Sequence, residues 1–176
     1  MGFAHDTTAA LQAAVALVNS AEPPDTMTTD EQLDAFFAAH DYSGARRPGA
    51  AELAAVRALR APLRDLLTGD RDEAVRILNA ILAERHAVPA LVRHDGHDYH
   101  LHAIASDAPL ADRIAVETAM AMLDLVRADE LGRLSVCAEP TCNGIVLDLS
   151  RNRSRRFCST TCGNKVAVAA YRSRRR

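Results

Sequence analysis

The chain has 176 residues, a hydrophobic share of 48% and a formal charge of −2, enough for one domain with a proper core and a small appendage. No apolar run approaches the roughly 18 residues that a membrane-crossing helix needs, and the opening residues lack a basic segment leading into an apolar core, so a soluble, cytoplasmic protein is expected. The near-neutral charge conceals a division. Residues 1–132 hold eleven arginines against twenty-one carboxylates, a net of −10, while residues 133–176 hold ten cations against two carboxylates, a net of +8. Such asymmetry points to an acidic body carrying a basic arm for a polyanion.

In chain order, residues 7–20 read as an Ala-rich helix with Leu11, Val15 and Val18 on one face, ended by Glu22-Pro-Pro-Asp25. Thr28-Thr-Asp-Glu31 reads as a capping box opening a short helix with Leu33, Phe36 and Phe37, and residues 41–49 as a loop. A helix from about residue 50 presents Leu53, Val56, Leu59, Leu63, Leu66 and Leu67; Pro62 must kink or interrupt it, because proline removes an amide and crowds the preceding turn. Asp70 opens the next helix, where Ala74, Ile77, Leu78, Ile81 and Leu82 make an apolar stripe. Residues 90–104 change period and predict a hairpin around Asp95-Gly96, with Arg93 opposite Asp98 and Val92 opposite Tyr99. The most apolar helix follows Pro109, with Leu110, Ile114, Val116, Met120, Leu123 and Val126 wrapping far enough round to place it at the centre of the core, and Gly132 ends it. Leu134-Ser-Val136 then leads straight into Cys137, which leaves little room for a linker and predicts a docked C-terminal module.

All four cysteines lie in that module, as Cys137, Cys142, Cys158 and Cys162. The C-x4-C-x15-C-x3-C spacing gives two chelating arms for one tetrahedral zinc ion, and four thiolates close the shell, so the ion would be structural. Two disulfides are the competing reading and need an oxidising compartment; four unrelated thiols are the other. Pro140 tightens the first arm into a knuckle. Ile145, Leu147 and Leu149 alternate along a short strand, Ser150-Arg-Asn-Arg-Ser154 is turn chemistry, and Arg155-Arg-Phe157 is the expected return strand. Ser159 is a plausible N-cap that puts Cys162 in the first turn of a helix. Knuckle, hairpin and helix together make a treble-clef-like module, too small to be stable without its metal.

Leu149-Ser-Arg-Asn-Arg-Ser-Arg-Arg-Phe-Cys158, followed by Cys162-Gly-Asn-Lys165 and Ala167-Val-Ala-Ala-Tyr-Arg172, resembles the CGNR zinc-finger family of bacterial proteins. Leu17-Val-Asn-Ser20, Tyr99-His-Leu-His102 and Ala108-Pro-Leu-Ala-Asp-Arg113 are similar to that family's N-terminal ABATE domain, so the resemblance spans nearly the whole chain. It implies an ABATE-like domain over 1–132, a CGNR-type finger over 133–176, and a stress-responsive transcription regulator. Lys165 stands where the signature has arginine; it keeps the charge and loses the planar fork.

The expected fold is α+β and mainly α: a helical N-terminal domain with a small antiparallel hairpin, joined to the zinc module. Arg151, Arg153, Arg155 and Arg156 lie between the cysteine pairs, and Lys165, Arg172 and Arg176 fall on one helical stripe, a pattern suited to phosphates; the alternative is a solvated face that caps helix carbonyls. Asn164 can touch a base or satisfy nearby backbone, and Phe157 and Tyr171 can stack on bases or fill the small core. His100 and His102 share a strand face, read here with Leu91, Arg93 and Asp98, and could bind a metal or an acidic effector or be half-buried polar residues. Asp112, Glu117 and Asp124 are expected on helix surfaces. No phosphate loop or G-x-S-x-G elbow is present, so an enzyme is not expected. The favoured function is a DNA-binding transcription regulator holding one structural zinc ion, whose body senses a small-molecule effector or forms a homodimer. An RNA-binding or ribosome-associated protein and a protein-interaction adaptor are the alternatives.

Overall fold

The computed structural model describes residues 3–40, 42, 44–93 and 98–175. Helix α1 (His5–Asn19) is followed by α2 (Asp30–Ala39), α3 (Ala50–Ala58), α4 (Arg60–Thr68) and α5 (Arg71–Glu84). A hairpin of β1 (Ala90–Val92) and β2 (His100–His102) leads to α6 (Leu110–Arg127) and a 3-10 turn (Leu131–Arg133). A second hairpin, β3 (Leu134–Val136) with β4 (Ile145–Leu147), precedes α7 (Thr160–Ser173). Among the described residues no helix is long and apolar enough to cross a membrane.

The helix boundaries follow from local chemistry. Thr29 caps α2, its hydroxyl accepting the Gln32 amide at 3.3 Å while the Gln32 carboxamide takes the Thr29 amide at 3.2 Å. The box is therefore one residue later than the Thr28/Glu31 pair suggests, because Gln32 can reach the Thr28 amide as well, at 2.6 Å. Pro62 has no amide for the carbonyl of Ala58, and the helix breaks at Leu59 before the Leu63 amide resumes the ladder at 2.9 Å. Asp70 caps α5 by accepting the Glu73 amide at 2.9 Å. Helix α6 stops before Gly132. Its left-handed residue is Asp129 (φ 56°), and the Glu130 amide folds back to the Leu125 carbonyl at 2.9 Å, closing a Schellman turn.

Helix α6 packs along α1 and α5 and is the axis of the core. Leu110, Ile114, Ala115, Val116, Ala119, Met122 and Leu125 are buried, whereas Met120, Leu123 and Val126 are only partly so. Leu11, Leu17, Leu33, Val56, Leu63, Leu66 and Leu78 close around it. Burial of this kind, at about 1.5–3 kcal/mol per large aliphatic side chain, is the main source of the body's stability.

The first hairpin pairs one residue out of the expected register: Leu91 lies opposite Leu101, Val92 opposite His100 and Ala90 opposite His102. A single-residue slip exchanges faces, so the two histidines share a side with Ala90 and Val92, and Leu91 is on the other. Arg93 consequently stands over the Tyr99 ring at 5.5 Å. The predicted Asp95-Gly96 turn, with His94 and His97, lies outside the described residues.

The second hairpin also differs from expectation. The partner of β4 is β3, upstream, and Arg155-Arg-Phe157 is not a strand. The Asp148 carboxylate accepts the amides of Ser150 (2.8 Å) and Arg155 (2.6 Å), taking donors that a return strand would need. Strand β4 is buried on both sides. Ile145 and Leu147 belong to the body's core, and Val146 lies with Cys137 and Cys162. The Asn19 side chain reinforces the seam, accepting the Ile145 amide at 2.6 Å and donating to its carbonyl at 2.8 Å. The module is docked, as the missing linker predicts.

Candidate metal centre and nucleic-acid interface

The β3–β4 ladder runs into the cysteine knuckle: beyond Val136 and Ile145 the Cys137 amide donates to the Gly144 carbonyl at 2.8 Å. Cys137 and Cys142 therefore sit on the tip of a hairpin anchored in the core. The Cys142 amide turns back to the Glu139 carbonyl at 3.0 Å, which makes the knuckle tight. The Ala138 amide holds the returning chain at the Arg156 carbonyl, 2.9 Å away. Ser159 then caps α7 by accepting the Cys162 amide at 3.2 Å, so the fourth cysteine lies in the helix's first turn.

The four sulfurs all lie within 4.8 Å of one another, with Cys142 and Cys158 3.5 Å apart and Cys158 and Cys162 3.7 Å apart. A disulfide would bring a pair to about 2 Å. A tetrahedron with metal–sulfur bonds of about 2.3 Å has edges of about 3.8 Å, so the spacing fits one ion held by four thiolates. The surroundings fit as well. The Gly144 amide points to the Cys142 sulfur (3.3 Å) and the Cys158 amide to that of Cys137 (3.4 Å). A Cβ on Gly144 would come within 2.9 Å of the Cys158 sulfur, so space alone demands glycine there. Burial pushes the Cys142 and Cys158 thiols up, while the Ser159 hydroxyl helps hold Cys162 below its ordinary value. Four thiolates this close need a cation among them.

The predicted phosphate contacts divide once partners are known. Arg155 donates to the carbonyls of Phe157 (3.4 Å), Leu147 (3.5 Å) and Cys158 (3.2 Å), tying β4 to the second cysteine pair. Arg153 pairs with Glu130 at 2.6 Å. Arg151, Arg156, Lys165 and Arg172 are exposed, and among the described residues none of their side chains has a hydrogen-bond or ion-pair partner; Arg174 is a fifth such cation. Arg176 lies outside the described residues. Asn164 is exposed and its carboxamide bonds to no described residue, since Ser159 already serves the helix start. Phe157 is half-buried against Gly163, and the Arg175 guanidinium covers the Tyr171 ring at 5.1 Å.

In the body, His100 and His102 bring their Nε2 atoms to 3.0 Å, and His100 Nδ1 meets the Asp98 carbonyl at 2.8 Å. Three groups near them were not legible as a site. Arg113, 2% exposed, donates to the carbonyls of Ala108 (3.1 Å) and Ala45 (2.5 Å). The Tyr42 hydroxyl is buried and has no hydrogen-bond partner among the described residues. Burial pushes the Glu117 carboxyl up to about 7, with Arg113 and His100 pulling the other way. Glu117 is thus no surface carboxylate; its signal was an acid flanked by Val116 and Thr118 in the most apolar helix. Asp112 pairs with Arg85 (3.1 Å), and Asp124 accepts the Thr7 hydroxyl (2.6 Å).

Two family models match the chain: the CGNR zinc finger over residues 133–175, and ABATE, described as "Putative stress-induced transcription regulator", over residues 11–129. No curated protein matches it.

Proposed function

The chain belongs to the ABATE family and carries a CGNR zinc finger, and from that premise we propose that it is a transcription regulator that binds duplex DNA through its zinc-held C-terminal module. Cys137, Cys142, Cys158 and Cys162 hold the zinc. When bound, the ion supplies two positive charges against four thiolates and leaves no open position for water, so its part is structural. The hairpin tip and the first turn of α7 are thereby locked together, and α7 is presented to solvent.

The observation that carries the reading is the set of cations without protein partners. Arg151, Arg156, Lys165, Arg172 and Arg174 stand on one small module whose side chains other than the cysteines sum to +8, against which the four thiolates and the ion set −2, beside a body at −10. Exposed cationic groups without a protein partner are available to phosphates. Duplex DNA is favoured over RNA because the module offers few open aromatic platforms for single-stranded bases: Phe157 is half-buried against Gly163, and Tyr171, 51% exposed, carries the Arg175 guanidinium on one face. The body carries the regulatory input, an effector at the face of His100 and His102 or a second copy of the chain.

The test is selection of bound sequences from mixed random duplex DNA and RNA by the zinc-loaded chain at two salt concentrations. A duplex motif that survives the higher salt is expected, with a slope of log K against log salt near −4 to −5 for five phosphate contacts. Recovery of RNA alone, or binding without salt dependence, would reject the proposal.

A further inference from the structure

Helix α7 makes no extended contact with another described helix or strand, and only Cys162 on it is buried. Its inward side is set by Cys162, by Gly163 beneath the Phe157 ring, and by the half-buried Val166. At 100° per residue the opposite side carries Thr161, Asn164, Lys165, Val168 and Arg172, which with Ala169 line one shallow trough, and beside it Tyr171 under Arg175. The stripe has a definite chemical order. Asn164 offers a carboxamide that bonds to no described residue; Val168 is an apolar side chain, 47% exposed, in the middle; Lys165 and Arg172 flank them with unpaired charge.

A lone exposed valine is ordinary on a surface; what points to a ligand is its place in one trough between a free carboxamide and two unpaired cations. The one aromatic beside it, Tyr171, carries the Arg175 guanidinium, so the face lacks the cluster of large apolar anchors on which a protein docking patch centres. The stripe fits a DNA major groove, about 12 Å wide, which admits a single α-helix. Major-groove edges offer adenine a donor and an acceptor that a carboxamide matches with two hydrogen bonds, and thymine a methyl group that an aliphatic side chain can cover. Residues 164 and 168 are about 6 Å apart along the helix, less than two base steps of about 3.4 Å.

We infer that α7 reads A·T base pairs in the major groove, Asn164 pairing with adenine and Val168 covering the methyl of a thymine one or two steps away, while Lys165 and Arg172 hold the flanking phosphates. The inference rests on the reading of the chain as a DNA-binding regulator and goes beyond it by naming which side chains specify and what they specify. Arg151 and Arg156, on the loop beside α7, contribute affinity without sequence preference.

The experiment compares the zinc-loaded full chain with Asn164→Ala and Val168→Ala. Both positions are exposed, and alanine favours helix, so the variants keep the fold, which circular dichroism checks. Wild type is expected to select a duplex motif containing neighbouring A·T pairs. Asn164→Ala should lose about ten-fold or more of its preference for adenine at one position. Replacing the motif's thymine by uracil, which lacks only the methyl, should weaken wild type several-fold and leave Val168→Ala unaffected. Selection of a motif without A·T pairs, or unchanged discrimination in both variants, would overturn this inference and leave DNA binding standing. Failure of wild type to bind duplex DNA would overturn both.

Discussion

Most arginines of the body meet carboxylates, whereas the exposed cations of the module's loop and last helix mostly do not. Arg46, its side chain 7% exposed, reaches Asp30, Asp34 and Glu52; Arg60 lies between the two oxygens of Asp25 at 2.9 and 3.0 Å; Arg71, Arg76 and Arg85 each meet a carboxylate. Arg47 and Arg113 donate to backbone carbonyls and Arg93 covers the Tyr99 ring, while Arg64 and Arg127 meet no carboxylate among the described residues. On the module, among the described residues, Arg151, Arg156, Lys165, Arg172 and Arg174 have no partner, while Arg133 and Arg153 meet Glu130, Arg155 donates to backbone carbonyls and Arg175 covers the Tyr171 ring. A count of basic residues therefore says little about an interface. What marks the interface is five unpaired cations gathered on one small module, where the unpaired arginines of the body stand singly.

The largest effect that separates the two regions is metal removal. Zinc contributes on the order of 10–16 kcal/mol in finger peptides, more than a small domain's whole stability. Chelation, or Cys162→Ser, should abolish the helical signal of α7 and all nucleic-acid binding, while helices α1 to α6 keep most of theirs. The body should also melt at a lower temperature, because Ile145 and Leu147 fill its core. Circular dichroism and thermal melts, with and without chelator, measure both; identical curves would break the comparison at its root.

Next in size is Arg46→Ala. It leaves Asp30 and Glu52 facing each other partly buried, with Asp34 beside them. Breaking a buried pair of this kind costs about 3–5 kcal/mol, read as a lower urea midpoint, with no change in the salt dependence of DNA binding.

Glu117→Gln tests the body through pH. The carboxyl's folded value of about 7 lies above its ordinary 4.5, so between these limits the folded state holds more protons than the unfolded one. Stability then falls as pH rises through that window, by no more than about 3 kcal/mol. Arg113, His100 and Tyr42 are the groups that face Glu117 from α6, β2 and the α2–α3 loop. The glutamine variant should match wild type near pH 4.5 and exceed it by about 1–3 kcal/mol at pH 8; parallel pH profiles in urea denaturation would remove Glu117 from the account.

The cysteine cluster, the break before Pro62 and the Asp70 cap were legible because each depends on chemistry within a few residues. The β1–β2 register was not, since one residue more or less in a turn decides it and periodicity is blind to that count. Nor was the partner of β4. Residues 150–154 look like a turn, yet the Asp148 carboxylate captures the amides beyond it, and the strand pairs across the knuckle instead. Glu117 and Tyr42 meet only in three dimensions. Arg155 and Arg156 show the limit most plainly: adjacent and chemically identical, one is a structural clasp and the other is unpaired.

Those neighbours also provide the smallest and most diagnostic test. Arg156→Ala and Arg172→Ala remove exposed cations without partners and should change stability by less than about 0.5 kcal/mol. Each should nevertheless reduce the salt slope of DNA binding by about 1, because one phosphate contact is lost. Arg155→Ala should do the reverse. Its donors satisfy carbonyls at the second cysteine pair, so its loss should lower the melting temperature of the module and leave the salt slope nearly unchanged. Equal behaviour of Arg155→Ala and Arg156→Ala in both measurements would mean that partnering does not separate structural arginines from binding ones, and that the net charge of the module is all the nucleic acid senses.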